Sequence, residues 1–208
     1  MGTSTTAQNH IEAPDDVCIR MRKIFFTERL ILRPLYRSDA PALFKACTSD
    51  PEVTRYLTWT THVNVSETDE YIKQCHENGG QAGFVWAVVL KDSGELAGLV
   101  DCRIQESAAA LGYLFGRGCW GKGYAKEAVG AVTDWLETIR QLTVLWAYCD
   151  TENAASKGLL ARLGFKFYCV MPETIICPAL SKSEREAHCF TRAVPRITMP
   201  QQDRRASA

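Results

Sequence analysis

Residues 109–125 read Ala109-Ala110-Leu111-Gly112-Tyr113-Leu114-Phe115-Gly116-Arg117-Gly118-Cys119-Trp120-Gly121-Lys122-Gly123-Tyr124-Ala125 and hold the strongest structural signal in the chain. An apolar run typical of a strand meets a glycine-rich turn, which opens directly into a segment of helical periodicity. The first amides of a helix have no internal partner, and the helix dipole adds partial positive charge there. Glycine lets the backbone approach an anion without a Cβ in the way. The stretch therefore predicts a phosphate-binding turn between a strand and a helix.

Two well-known phosphate motifs fit this turn by their letters but not by their context. Gly116-x-x-x-x-Gly121-Lys122 is close to a P-loop, but position 123 is Gly where a P-loop needs Ser or Thr to hold magnesium. Gly116-x-Gly118-x-x-Gly121 matches the dinucleotide fingerprint, which follows the first strand of a Rossmann half and precedes further βα units. Only three strand candidates follow it here. The segment Trp120–Ala125 instead fits the pyrophosphate loop of acetyl-CoA-dependent acyltransferases.

Composition and charge exclude several classes of protein. The chain has 208 residues, of which 46% are hydrophobic and 23% charged, as expected for one globular domain. The formal net charge is zero, which argues against nucleic-acid binding. No apolar run is long enough to span a membrane, and no secretory signal is recognisable, so we expect a cytoplasmic protein. The nine cysteines form no C-x-x-C pair, so no metal site is expected.

The two ends of the chain differ in composition from its middle. Residues 1–22 and 196–208 are polar and aperiodic, and we expect them to be a flexible arm and a flexible tail. Residues 23–195 then form the single domain. Met1-Gly2-x-x-x-Thr6 matches a myristoylation pattern, which leaves modification of Gly2 open.

Hydrophobic periodicity and capping residues predict a mixed sheet with helices. In the first part of the chain we predict a strand over 24–35, a helix capped by Ser38-Asp39 that runs to Ala46, a short helix that Asp50-Pro51 starts, and a helix over 67–78 capped by Ser66-x-x-Asp69. In the second part we predict strands over 84–90, 96–104, 109–115, 142–149, 165–170 and 188–194, and helices over 124–140 and 153–163.

With the short helix at Asp50-Pro51 left out, the predicted order is β-α-α-β-β-β-α-β-α-β-β. It gives an α/β (α+β) fold with a mostly antiparallel central sheet. Residues 109–149 read strand, helix, strand, so the two strands of this unit should be parallel.

This order resembles the GNAT superfamily of N-acetyltransferases, and its ribosomal-protein branch in particular. Three segments in sequence carry the resemblance. They are Thr27-Glu28-Arg29-Leu30-Ile31-Leu32-Arg33-Pro34-Leu35, then Leu111-Gly112-Tyr113 with Trp120-Gly121-Lys122-Gly123-Tyr124-Ala125-x-Glu127-Ala128, then Asn153-x-x-Ser156-x-x-x-Leu160-x-x-Leu163-Gly164-Phe165. The resemblance covers residues 24–194.

The resemblance implies a site for acetyl-CoA, the acetyl donor, without a metal. The strands over 109–115 and 142–149 would splay apart at their carboxyl ends, with pantetheine in the gap and the pyrophosphate on the glycine loop. The superfamily often has Gln or Arg in place of Trp120, whereas the ribosomal branch frequently carries an aromatic residue. The implied cofactor-binding residues are Leu114, Phe115, Trp120, Gly121, Lys122, Gly123, Tyr124, Ala125, Asn153 and Ser156.

The same resemblance implies catalytic roles for Asn153 and Ser156. Many relatives carry a general-acid Tyr seven residues after this Asn, where the present chain has Leu160. Ser156 is then the candidate donor to the departing sulfur, and Asn153 would both cap its helix and contact the cofactor. The general base is left open among Asp101, Glu106, Glu152 and water, because the positions where relatives often carry Glu are alanines.

The acceptor can be narrowed by the basicity of amines. An α-amine has a pKa near 7.7–8.0 and a lysine one near 10.4, so weak base machinery favours an α-amine. We therefore expect the acceptor to be a protein N-terminus. The alternatives are a small amine such as an antibiotic, polyamine or amino acid, and a non-catalytic CoA-binding regulatory module. Trp59, His62 and His188 either line the acceptor pocket or pack in the core.

Overall fold

The computed structural model describes residues 23–78 and 83–195, and in them eight strands form one sheet. In chain order the strands are β1 (Phe25–Phe26), β2 (Leu30–Pro34), β3 (Gly83–Leu90), β4 (Leu96–Gln105), β5 (Ala108–Phe115), β6 (Val144–Asp150), β7 (Lys166–Ile175) and β8 (Arg185–Ala193). Their order across the sheet is β1-β2-β3-β4-β5-β6-β8-β7, and every neighbouring pair is antiparallel except β5 and β6. The predicted fold class is confirmed. The arm over 1–22 and the tail over 196–208 lie outside the described residues.

Within the described residues, five α-helices cover the two faces of the sheet. They are α1 (Ala40–Leu43), α2 (Pro51–Thr54), α3 (Val65–Asn78), α4 (Tyr124–Glu137) and α5 (Ala154–Arg162). Residues of α4 and α5 share a core with Val100, whereas residues of α1 and α3 share a core with Leu99. Because successive residues of a strand point to opposite faces, α4 and α5 lie on one face and α1 and α3 on the other. No helix in the described part of the chain is long and apolar enough to cross a membrane.

The prediction of one continuous strand over 24–35 is wrong, because the segment forms two strands. The hydroxyl of Thr27 accepts a hydrogen bond from the amide of Leu30 at 3.1 Å, and the amide of Thr27 donates to the carbonyl of Leu30 at 3.0 Å. These bonds close a tight turn, so the chain reverses and Phe25 pairs with Leu32. The result is a short hairpin of β1 and β2 instead of one long strand.

Two of the three helix starts predicted in the first part of the chain need correction. The cap of α3 is Asn64, whose Oδ1 accepts from the amide of Glu67, while the carboxylate of Glu67 accepts from the amide of Val63. The capping residues Asn64 and Glu67 therefore lie two residues before the predicted Ser66-x-x-Asp69. Asp69 instead pairs with Arg37. Asp50 caps α2 as predicted, through its bond from the amide of Glu52.

The predicted helix from Ser38-Asp39 to Ala46 is divided into three short pieces. A 3-10 turn over Arg37–Asp39 leads into α1, which continues as a π-type turn over Phe44–Thr48. Asp39 makes no side-chain cap on α1. Its carboxylate instead accepts from the amide of Tyr36 and from the guanidinium of Arg33.

The parallel pair is held together over a short distance. β5 and β6 pair only at Ala108–Val144, Ala109–Leu145 and Ala110–Trp146. Beyond these pairs the two strands diverge toward their carboxyl ends, as the resemblance implied. The gap opens where the glycine loop and the first turn of α5 follow the two strands, so the topology places a helix N-terminus on each side of it.

Candidate active site

Two cavities lie at the gap between β5 and β6, and they meet. The first has a volume of about 460 Å³ and lies over β4, β5 and β6 on the face of α1 and α3. The second has a volume of about 810 Å³ and runs from the gap to the glycine loop and α5. Both are of the size expected for a ligand site. The residues that line both cavities are Tyr56, Leu57, Tyr113, Leu114, Asn153 and Ser156.

The glycine loop adopts the backbone that its sequence predicts. After a 3-10 turn over Arg117–Cys119, Gly121 and Gly123 have φ angles of +72° and +81°, which favour glycine. Gly123 is the N-cap of α4. Among the described residues, the amides of Gly121, Lys122 and Gly123 have no acceptor in hydrogen-bonding geometry. Together with the first amides of α4 they form a cluster of donors suited to an anion.

Of the ten residues expected to bind the cofactor, eight line the second cavity: Leu114, Phe115, Trp120, Gly121, Gly123, Ala125, Asn153 and Ser156. The other two, Lys122 and Tyr124, contact Arg29 instead. The carbonyl of Lys122 accepts from the Arg29 guanidinium at 2.9 Å, and this guanidinium lies 4.6 Å from the centre of the Tyr124 ring.

Arg29 belongs to a clamp that joins the β1–β2 turn to α4. The carboxylate of Glu127 accepts hydrogen bonds from the hydroxyl of Thr27 at 2.6 Å, the amide of Arg29 at 2.7 Å and Nε of Arg29 at 2.7 Å. Burial alone would raise the pKa of Glu127, but these bonds outweigh it and lower the pKa. We call Thr27, Arg29 and Glu127 the clamp. The clamp was not expected from the sequence, although both of its segments lie in the motifs that carry the resemblance.

The backbone of β5 has alternating orientations at the gap. The amide of Gly116 donates to the carbonyl of Ala97 on β4. Backbone groups two residues apart in a strand point the same way, so the amide and carbonyl of Leu114 also face β4 and not the gap. Leu114 therefore contributes its side chain to the cavities. The carbonyl of Phe115 faces away from β4 and accepts from the indole nitrogen of Trp120 at 2.7 Å. This bond ties the glycine loop back to the end of β5.

Ser156 and Asn153 lie at the junction of the two cavities, and Tyr113 lies there with them. Asn153 caps α5, since its Oδ1 accepts from the amide of Ser156 at 3.0 Å. The hydroxyl of Ser156 lies 2.8 Å from the hydroxyl of Tyr113 on β5. Burial raises the pKa of Tyr113 to about 12 despite this hydrogen bond, so the phenol keeps its proton at neutral pH. Leu160 is fully buried in the core and offers no polar group.

Tyr113 was not among the residues expected in the site, although it lies in the Leu111-Gly112-Tyr113 segment. Its pairing with Ser156 joins residues 43 positions apart, which no local pattern indicates.

The three candidate bases occupy different surroundings. Asp101 on β4 lines the first cavity and lies over Gly112, where an added Cβ would come within 2.3 Å of the Asp101 carboxylate. Burial raises the pKa of Asp101, and Arg103, 3.9 Å away, partly opposes the rise. Glu106 lies in the β4–β5 turn with a φ of 51°, and Glu152 is 61% exposed and pairs with Arg185. Of the three, only Asp101 lines the cavity.

The three residues considered for the acceptor pocket separate in the structure. Trp59 lines the first cavity. His62 packs behind it, with ring centres 4.6 Å apart, and lies 2.8 Å from the hydroxyl of Thr68. Burial lowers the pKa of His62, which favours its neutral form. His188 pairs with Cys149 on the face of α4 and α5 and packs against Phe167, away from the pocket.

The described residues contain no group of three or more His, Cys, Asp or Glu side chains that could hold a metal ion. The polar groups of the residues that line both cavities are hydroxyls and an amide, and the Asp101 carboxylate lines the first cavity alone.

Comparison with known proteins agrees with this geometry. A family model described as an acetyltransferase (GNAT) domain matches residues 29–166, more than half of the chain. The uncharacterized N-acetyltransferase p20 of Bacillus licheniformis is 34% identical over 146 residues, which are 68% of this chain and 81% of that protein.

Solved structures share the fold. The acetyl transferase of Salmonella typhimurium that modifies the N-terminal serine of 50S ribosomal subunit protein L7/L12 superposes with a TM-score of 0.73 at 17% identity, over 83% of this chain and all of that one. The Microcin C7 self immunity acetyltransferase MccE, in complex with acetyl-CoA and AMP, superposes with a TM-score of 0.72 at 18% identity, over 80% of this chain and 93% of that one.

The splayed strand pair and the glycine loop at a helix N-terminus define an acyltransferase of the GNAT type. The chain belongs to the GNAT acetyltransferase family, and the resemblance of the sequence to the GNAT superfamily is confirmed.

Proposed function

We propose that this enzyme transfers the acetyl group of acetyl-CoA to the α-amine of a protein N-terminus in the cytoplasm. The observation that carries the proposal is the junction of the two cavities at Tyr113, Leu114, Asn153 and Ser156. One cavity ends in a cluster of donor amides and the other contains a carboxylate, so a thioester and an amine would meet where they join. The acceptor class is supported by the Salmonella neighbour, which acts on an N-terminal serine.

The donor would lie in the second cavity. The amides of Gly121, Gly123, Tyr124 and Ala125 would bind its pyrophosphate, with Lys122 alongside. Pantetheine would then follow β5 toward Ser156. Because the carbonyl of Phe115 bonds Trp120 in the structure, a main-chain bond from pantetheine to this carbonyl requires the indole to share or release it.

The acceptor amine would enter through the first cavity, and Asp101 would serve as its base. An α-ammonium must lose one proton before its nitrogen can attack the thioester carbon. The Asp101 carboxylate takes this proton directly or through a water molecule. Its raised pKa makes the carboxylate a stronger base than an exposed aspartate.

The departing sulfur would be protonated from the other side of the junction. As the C–S bond breaks, the hydroxyl of Ser156 donates its proton to the thiolate and receives one from the phenol of Tyr113, 2.8 Å away. After the attack the nitrogen carries one proton more than the amide product, and this second proton passes to solvent. Solvent then returns a proton to Tyr113 and accepts the one that Asp101 holds. The products are the acetylated amine and the free thiol, and the tyrosine performs the role that position 160 performs in many relatives.

Two measurements test the proposal. Isothermal titration should detect acetyl-CoA binding, and a thiol-release assay should then detect turnover with peptides that have a free N-terminus. Absence of binding at millimolar acetyl-CoA would overturn the donor assignment. Turnover of one small amine with no activity on any peptide would overturn the acceptor assignment and favour the small-amine alternative.

A further inference from the structure

The first cavity has an aromatic wall on β6. Trp146 and Tyr148 both line it, and because they are two residues apart in a strand, their side chains lie on the same face. Their ring centres are 5.8 Å apart, and the ring planes differ by 26°. Tyr148 is 39% exposed, so part of this wall has no protein partner.

Other elements supply a second aromatic wall to the same cavity. Trp59, which precedes α3, and Tyr71 of α3 have ring centres 5.4 Å apart. Both line the cavity, and Tyr56 continues the lining toward the junction with the second cavity. Rings from two separate parts of the chain therefore surround one space of about 460 Å³.

The floor between these walls is small and carries an acidic group, Asp101, whose ion pair with Arg103 is long. Ala110 and Gly112 leave room above β5, and the carboxylate of Asp101 takes the place that a side chain at position 112 would occupy. Asp150 also borders the cavity, but it is fully buried and bound to the Arg185 guanidinium at 2.6 Å. The nearest cation to Asp101, on Arg103, is 3.9 Å away on a side chain that is 69% exposed.

Resting on the proposed function, we infer that the preferred acceptor is an amine whose adjacent substituent is large, flat and apolar, with an aromatic ring as the best fit. The amine would be held near Asp101 and the junction, while the ring would lie between the two aromatic walls. Aromatic side chains bury about 150–250 Å² each and gain from edge or offset contacts with other rings. A substituent the size of a serine or alanine side chain would leave these walls in contact with water. This chemistry could come from a peptide with an aromatic first residue or from an arylalkylamine.

The test compares matched acceptors in the thiol-release assay. One pair consists of two peptides that differ only in an N-terminal Phe or Ser, and the other of 2-phenylethylamine and ethylamine. We expect kcat/KM for the aromatic member to exceed that of its partner by about tenfold or more in at least one pair, as an apolar pocket discriminates by size. The pair that is turned over identifies the source of the acceptor.

Variants then locate the preference. Trp146→Ala and the more exposed Tyr148→Ala should each reduce the preference by about fivefold or more, with an unchanged Kd for acetyl-CoA. The matched control is Tyr168→Ala on β7, an aromatic residue that is 71% exposed and does not line the cavity, and it should retain the preference.

Two outcomes would count against the inference, and they differ in what they leave standing. Equal kcat/KM values for both members of both pairs would overturn it while the acetyltransferase proposal survives. A protein that binds acetyl-CoA but releases no thiol with any acceptor would overturn both.

Discussion

Replacing Glu127 with glutamine should weaken acetyl-CoA binding, although Glu127 does not line the second cavity. The clamp fixes the β1–β2 turn to the first helical turn after the glycine loop, and through Arg29 it also bonds the carbonyl of Lys122. An amide at position 127 accepts at one atom only and carries no charge. Its NH₂ group is a donor. It would face other donors in either orientation: the hydroxyl of Thr27 and the amide of Arg29, or the Arg29 guanidinium.

The magnitude follows from the bonds that the carboxylate receives. Glu127 is 16% exposed, and hydrogen bonds to a charged group contribute about 1.5–3 kcal/mol each. Loss of one such bond should lower the free energy of unfolding by about that amount and raise the Kd for acetyl-CoA several-fold, because the loop amides lose their fixed position. Urea denaturation and isothermal titration measure the two effects separately.

The clamp also predicts a dependence of stability on pH. The pKa of Glu127 is lowered in the folded protein, so its contribution is fully present above the pKa of the unfolded chain and is lost as pH falls through the folded value. Glu127→Gln should remove this contribution, and the difference in unfolding free energy between wild type and variant should shrink on acidification.

A matched control lies on the same helix. Glu137 at the far end of α4 pairs with Arg192 at 2.8 Å and is similarly buried, but it lies outside the clamp and the glycine loop. Glu137→Gln should lower stability without changing the Kd for acetyl-CoA. If the two variants had the same Kd, the reasoning that the clamp positions the loop would be refuted.

Three further predictions concern the reacting groups and the loop. Ser156→Ala should lower kcat with little change in acetyl-CoA affinity, and Tyr113→Phe should lower kcat by a similar factor. The double variant should lose no more activity than either single variant. Unaltered kcat values would show that neither residue takes part in proton transfer. Because Asp101 must be ionised to act and its pKa is raised, kcat/KM should rise with pH through that pKa, and Asp101→Asn should flatten this part of the profile measured by thiol release. Gly123→Ala should cost about 1–2 kcal/mol of backbone strain and weaken acetyl-CoA binding, whereas Gly94→Ala, at a φ of +72° in the β3–β4 turn, should cost as much and bind normally.

The parts of the fold that were predictable are those with local causes. The strand, glycine loop and helix over 109–137 follow from one sequence pattern, because apolar periodicity, glycine spacing and the helix start all agree there. Asn153 was predicted as a cap because its cause, an amide three residues away, is also local.

The parts that were not predictable depend on distant residues. The turn at Thr27 interrupts a segment whose apolar spacing suits one strand, and its side chain is held by Glu127, 100 residues away. Of the three candidate bases, Asp101 alone lines the first cavity, and this depends on which carboxylate the sheet turns toward it. The aromatic walls likewise combine Trp59 with Trp146, and their distance in sequence hides their common cavity.

The three residue pairs between β5 and β6 also make the protein, in effect, two sheets that share a short seam. Strands β1 to β5 form one and β6, β8 and β7 the other, and the backbone along the opening lacks the ladder that binds strands elsewhere. A ligand whose own amides bridge this opening would act as a temporary strand and join the two sheets. Binding of the donor should therefore slow amide hydrogen exchange in β5 and β6 together. The bound donor would then supply part of the rigidity of the sheet.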